Sequence, residues 1–252
     1  GELALKEWIW DGEMDCGWED LSHLLKNVCS RFTRTMLKTT SISSAESKEL
    51  ITSECMERFE SITGVFADII QNGEYYQSED LTDDYQNAKK LNSWILLCSL
   101  TETLLQIFLA FYINDYKKTK WQQWNDFKIE QVQNPIISFI QKLVDEGSLI
   151  PEQAKSLKGA IKDTIKEHTK EHCVERIMFD ELIQLFTFLE LFDEDEIDVL
   201  KMIQSNRNGV HAFQSRTIGT WADLQYGVRF FCYLMDWVLE HLPDIPDEAY
   251  YL

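Results

Sequence analysis

Apolar residues recur at helical spacing along most of the chain. Leu21, Leu24, Leu25, Val28, Phe32 and Met36 predict a helix from near Trp18 to about Lys38. A Ser/Thr-rich connection, 39–44, follows. Ser43 and Glu46 then have the Ser-x-x-Glu spacing of a capping box and open a second helix reaching about Gln71, where Asn72 and Gly73 stop it. Residues 73–82 read as a polar loop. The next helix runs from about Asp83 to Lys117, and its middle, 94–113, is apolar nearly all round. Pro135 stands in or at the start of a helix that reaches about Glu146 and ends at Gly147. Pro151 opens another, through about His172. Cys173 to Phe192 forms the next, on the apolar set Ile177, Leu182, Leu185, Phe186 and Leu189. The acids of 193–196 suit the start of a further helix to about Ser205, and a last one spans about Thr220 to His241 before Pro243 and Pro246.

No alternating strand pattern of useful length and no internal repeat interrupts this series. The expected class is all-α, a helical bundle. The loop at 73–82 suggests a boundary: an N-terminal helical part over 1–80, a C-terminal bundle over 81–242, and an acidic, aromatic tail over 243–252. The 10 Gly and 4 Pro in 252 residues agree with long helices and few connections. The apolar stretch 94–113 could be taken for a membrane span. Glu102 near its centre, flanked by Ser99, Thr101, Thr103 and Gln106, argues for a core helix instead, since a charge there costs about 2.5–3.5 kcal/mol or more in lipid. No membrane association is therefore expected.

Charge and cysteines narrow the picture further. A net charge of −19 repels phosphate backbones at long range and makes steering toward bulk DNA unlikely, while leaving room for a small local basic site or for a basic protein partner. Cys16, Cys29, Cys55, Cys98, Cys173 and Cys232 are scattered, without a CxxC pair. They read as reduced, buried thiols, and the protein as cytoplasmic. Residues 1–10 carry Glu2, Lys6 and Glu7 and no apolar run, so no secretory signal is expected there.

Most chemistries find no support. His168 and His172 stand four apart on a predicted helix with Cys173 beside them, but further ligands would have to come from elsewhere, and two solvated histidines are the default. The acids of 193–198 lack the glycine and the closing glutamate of a calcium loop, Gln204 standing where that glutamate would be. Phosphate-binding loops, dinucleotide-binding glycines and a nucleophile elbow are all missing from the sequence. Neither cofactor nor metal is expected.

Two features remain. Ser99, Glu102, Thr103 and Gln106 lie at offsets that place them on one side of the apolar helix, and a buried Glu102 would need a nearby cation or a raised pKa. The second is the string from Gln204 to Phe213. Arg207 and His211 stand four apart, so on a helix they share a face. Arg offers a permanently charged fork suited to phosphate, His titrates near neutrality, and Asn208 can orient a phosphate or an imidazole. Cleaving RNA without a metal needs these groups: a base for the 2′-OH, a cation for the phosphorane, an acid for the leaving 5′-oxygen. A surface Arg and a helix-capping His would give the same letters.

An all-α chain with Arg207-Asn208 followed by His211 near the start of its last long helix resembles the HEPN (higher eukaryotes and prokaryotes nucleotide-binding) superfamily. The resemblance covers about 81–242 and rests on the string Arg-Asn-Gly-Val-His-Ala-Phe. It implies a helical bundle that dimerises so that two motifs form one composite site. Many members are metal-independent endoribonucleases, found as toxins and phage-defence proteins; others bind a nucleotide, RNA or a protein partner without catalysis. By position, Arg207 would contact phosphate, Asn208 would be the polar residue after it, and His211 the catalytic histidine. Glu102 is the candidate for the polar or acidic residue that faces the site from an earlier helix. The spacer of Asn208, Gly209 and Val210 is shorter than the family's usual one.

Overall fold

The computed structural model describes Trp10 and residues 16–119, 123–125, 133–167, 169–171, 173–210 and 218–243. The chain is all-α in class. Its helices are α1 (Trp18–Thr40), α2 (Ala45–Leu50), α3 (Ser53–Gln71), α4 (Asp83–Phe111), α5 (Ile113–Tyr116), α6 (Asn134–Asp145), α7 (Pro151–Glu167), α8 (Phe179–Phe188), α9 (Glu194–Arg207) and α10 (Trp221–Glu240). Two three-residue strands, β1 (Gln123–Asn125) and β2 (Thr169–Glu171), pair antiparallel. Two compact units result, one from 1–113 with 177–252, the other from 114–176. The loop at 73–82 lies inside the first unit, whose earlier helices α1 and α3 pack on the later α10 and α4.

The first unit is built around α4 and α10. Trp94, Leu97, Leu104 and Leu105 of α4 and Val228, Phe230, Phe231 and Leu234 of α10 are fully buried. Each such side chain contributes about 1.5–3 kcal/mol of transfer free energy. Gly227 permits the close approach of these two helices: a Cβ there would lie 3.1 Å from Leu97 and 3.2 Å from Trp94. Phe108 of α4 meets Phe186 of α8 at 5.8 Å and Trp237 of α10 at 5.2 Å. Helix α1 buries Leu21, Leu25, Val28, Phe32 and Met36 of the stripe that its periodicity predicts, while Leu24 is half-buried. It runs alongside α10 in the same direction, joined by Trp18 against Trp221 near the start and by the Arg31–Asp236 ion pair further on.

Several boundaries differ from the periodicity. The stretch expected as one helix over 43–71 is two. Ser44 rather than Ser43 caps the first, accepting the Ser47 N–H. Ile51 then leaves helical geometry and buries its side chain, and the Thr52 hydroxyl accepts the Cys55 N–H to start α3. The helix expected through His172 ends at Glu167, because Thr169–Glu171 extends and pairs with Gln123–Asn125. His168 and His172, expected to share a helical face, lie outside the described residues. The stretch expected as a helix from Cys173 to Phe192 shrinks to α8. Glu190, at φ 53°, turns the chain after it, while the N–H groups of Glu190 and Leu191 satisfy the carbonyls of Thr187 and Phe186.

In the second unit α6 and α7 form a helical hairpin. Ile136, Leu157, Ile161 and Ile165, with the polar Gln133 and Thr164, line a groove of about 230 Å³ there. No candidate catalytic group lines it.

Candidate functional site

The site begins at the start of α9. Asp193 and Glu196 close a capping box, each carboxylate accepting the other's backbone N–H at 3.0 and 2.8 Å. The other oxygen of the buried Glu196 accepts the Tyr233 hydroxyl at 2.6 Å, which ties the origin of α9 to α10. From there α9 runs along α4 and ends at Arg207. Asn208 is its C-cap, with its N–H directed to the carbonyls of Gln204 and Asn206, and Asn208–Val210 continue as one 3-10 turn.

Arg207 is half-buried and lies within electrostatic reach of Glu102 and Cys98 on α4. Burial pushes the Glu102 carboxyl above its ordinary range, and the Arg207 guanidinium pulls it partly back. Burial likewise raises the Cys98 thiol to about 12, with Arg207 opposing and Glu102 adding to the rise. Arg207 and Glu102 therefore lie within electrostatic range of each other where α9 packs along α4, and Asn208 follows Arg207 as the C-cap of α9. His211 lies outside the described residues.

The polar side of α4 is its wetter edge: Ser99 is exposed, and Glu102, Thr103 and Gln106 are half-buried. Thr103 donates to the Ser99 carbonyl at 2.9 Å and Gln106 to the Ile177 carbonyl at 3.0 Å. Glu102 is thus the carboxylate of the stripe, and Arg207 its nearby cation. A second cation, Lys90, stands further toward the start of α4. Burial lowers its pKa and Asp223 of α10 raises it. Its neighbour Leu91 adjoins Gly209, where a Cβ would meet it at 3.7 Å.

Sequence reasoning passed over Asn206. Its side chain is 7% exposed, donates to the Met202 carbonyl at 2.9 Å and accepts the Gly219 N–H at 2.6 Å. Just beyond, Thr220 and Asp223 form the capping box that starts α10, the Asp223 N–H reaching the Thr220 hydroxyl at 3.1 Å. A polar residue directly before the motif and a lone Gly directly before a Thr-x-x-Asp cap were the available signals.

Among the described residues no group of three or more His, Cys, Asp or Glu side chains is placed to hold a metal. Among the described residues no disulfide joins the six cysteines. Cys29, Cys98 and Cys232 are buried as expected, whereas Cys16 and Cys55 are half-buried and Cys173 is exposed, because it falls in the turn before α8 rather than inside a helix. Among the described residues α4 alone is long and apolar enough to cross a membrane, with a mean hydropathy of 1.8; its apolar positions pack within the first unit. No protein-family model matches the chain, and no curated protein or solved structure matches it significantly.

Proposed function

We propose that the chain is a HEPN-like protein that cleaves RNA without a metal. It acts as a cytoplasmic homodimer of the toxin or phage-defence kind. The observation that carries this reading is Arg207 itself: a half-buried guanidinium at the end of α9, which packs along α4, with the Glu102 carboxylate of α4 in its electrostatic field. A cation held there without full burial remains available to a phosphate. Arg207 then stabilises charge on the phosphorane, Asn208 orients the phosphate or the imidazole, and His211 takes the 2′-OH proton. The new 2′-O–P bond displaces the 5′-oxygen, which leaves protonated, giving a 2′,3′-cyclic phosphate.

Purified protein incubated with a pool of structured RNAs in EDTA should leave cyclic-phosphate ends. His211→Ala and Arg207→Ala should each lower the rate by about 10²–10⁴-fold with helical content unchanged. Cleavage at the wild-type rate by either variant refutes the catalytic assignment. The short spacer of Asn208, Gly209 and Val210 and the charge of −19 favour one second reading, a non-catalytic module of the same kind that binds a nucleotide, RNA or a basic protein partner. A dimer that binds nucleotide yet leaves every RNA intact would establish that reading instead.

A further inference from the structure

We propose that the aromatic patch where α1, α4 and α10 begin is a docking site for a lysine- or arginine-bearing segment of a basic protein partner. It stands apart from the ribonuclease reading, since it uses neither Arg207 nor His211.

The patch is built by packing between elements distant in sequence. Gly73, in the turn after α3, lets the Trp18 ring of α1 lie against the backbone: a Cβ there would stand 2.3 Å from that ring. Trp221, the first residue of α10, meets Trp18 edge-on at 5.8 Å. Tyr76 stacks on Trp221 at 6.3 Å, and Tyr75 adjoins Tyr76 at 5.9 Å. The Gln86 side chain of α4 donates to the Ser78 carbonyl at 2.9 Å and so ties the tyrosine turn to α4, which carries Tyr85 and Lys89. Packing leaves the rings open to solvent. Tyr75 is 57% and Tyr85 44% exposed, and Trp18, Tyr76 and Trp221 are half-buried.

Two observations select a cation as the occupant. The first is Lys89, whose ammonium sits over the Tyr76 ring at 5.2 Å and over the Tyr85 ring at 5.3 Å. The negative faces of these rings thus already hold a cation. The second is charge. Glu74, Glu79 and Asp80 stand in the turn, and Asp83 and Asp84 follow in the first turn of α4. All five are exposed, and none belongs to an ion pair among the described residues. Asp83 and Asp84 complement the helix N-terminus, whereas the three acids of the turn cap nothing. With a net charge of −19 behind them, they draw a basic segment toward the rings and repel a phosphate backbone. An incoming lysine or arginine then competes with Lys89 for the faces of Tyr76 and Tyr85.

That competition gives the test its sign. A dye-labelled hexa-arginine peptide and a dye-labelled oligouridylate are titrated with the full chain, and fluorescence anisotropy reads binding. Tyr76→Ala and Tyr85→Ala leave the net charge as it is, so general attraction to the acidic surface persists in both. Each should nevertheless weaken peptide binding about 2–30-fold. Lys89→Ala vacates the rings and should tighten it at least about twofold, whereas Lys48→Ala, the same change of charge at an exposed position of α2, should leave it unchanged. Peptide binding that both tyrosine variants retain, with circular dichroism matching wild type, overturns the proposal, because the acidic surface alone then accounts for the attraction. A wild type that does not bind the peptide overturns it as well. So does oligouridylate binding that Tyr76→Ala and Lys89→Ala both abolish, which assigns the patch to stacked bases and a lysine-held phosphate instead.

Discussion

Arg31 of α1 and Asp236 of α10 are paired across the two helices. The Asp236 side chain is 4% exposed and that of Arg31 54%, and Asp236 Oδ2 has no hydrogen-bond partner among the described residues. Removing Arg31 leaves a buried carboxylate uncompensated. Breaking a buried pair in this way costs about 3–5 kcal/mol, and the half-solvated Arg31 places Arg31→Ala at the lower end, about 3 kcal/mol. At about 2–4 °C per kcal/mol for a chain of this size, Tm should fall by roughly 6–12 °C. The loss depends on pH. Burial raises the Asp236 carboxyl above the ordinary range, and the hydrogen bond and charge of Arg31 pull it back. Without Arg31 it rises further. A carboxyl raised in the native state holds its proton more tightly than in the unfolded chain, so stability falls as pH rises through the native pKa. The variant should lie closest to wild type near pH 5 and furthest from it near pH 8. Adding Asp236→Asn removes the stranded charge and should recover most of the loss. Thermal unfolding of wild type, both single variants and the double variant, followed by circular dichroism at both pH values, gives the answer. A loss under about 1 kcal/mol, or one that is flat with pH, refutes the reasoning. So does a transition in which α1 and α3 melt apart from α10, since their shared core predicts one cooperative step.

Two further outcomes follow from shifted groups. Glu102→Gln removes a carboxyl that burial has raised, so wild type should gain stability over the variant as pH falls from neutrality toward about 4.5, the ordinary glutamate value; a Tm difference that stays constant over that range, or reverses, contradicts the burial of Glu102. Thiol labelling near pH 8, read by mass spectrometry, should modify exposed Cys173 first and spare Cys29 and Cys98, whose thiols burial raises to about 11 and about 12, until the protein is unfolded. Native Cys98 labelling as fast as Cys173 would place the α4 core in solvent.

The helices of the first unit were legible because each has one buried stripe and a cap written in short-range letters. Leu21 to Met36 in α1 and the Asp193 box in α9 are of this kind. The misplaced ends share one cause. Thr52 restarts a helix within an apolar pattern that continues across the break, and β2 interrupts α7 through pairing with a strand some forty-five residues earlier. Neither the hydroxyl's choice of the Cys55 N–H nor the ladder partner is a property of a local window. Helix α4 shows the limit from the other side. Its composition passes for a membrane span, and the helices packed on its faces, α3, α8, α9 and α10, are something that hydropathy does not contain.

The candidate site divides along the same line. Arg207, Asn208 and Glu102 could be picked from residue type and spacing, since a charge in an apolar helix and a cation at a helix end each advertise a need for a partner. That Glu102 comes within the field of Arg207 depends on α9 lying along α4, and the spacing of 102 and 207 carries no trace of it. Asn206 is the sharper case. As a letter it is one more polar residue beside a motif, and its weight comes only from Gly219, thirteen positions on, whose missing side chain admits the amide. A glycine placed before Thr220 reads as a loop breaker, and the cap after it accounts for the start of α10 without any reference to α9. The two readings differ in what they predict for Gly219→Ala. A loop breaker in open space accepts a Cβ freely and loses nothing. A residue whose Cβ would stand 3.0 Å from Asn206 Oδ1 must push that amide away, and the change will appear as faster exchange of the Gly219 N–H while the core amides of α4 and α10 stay protected.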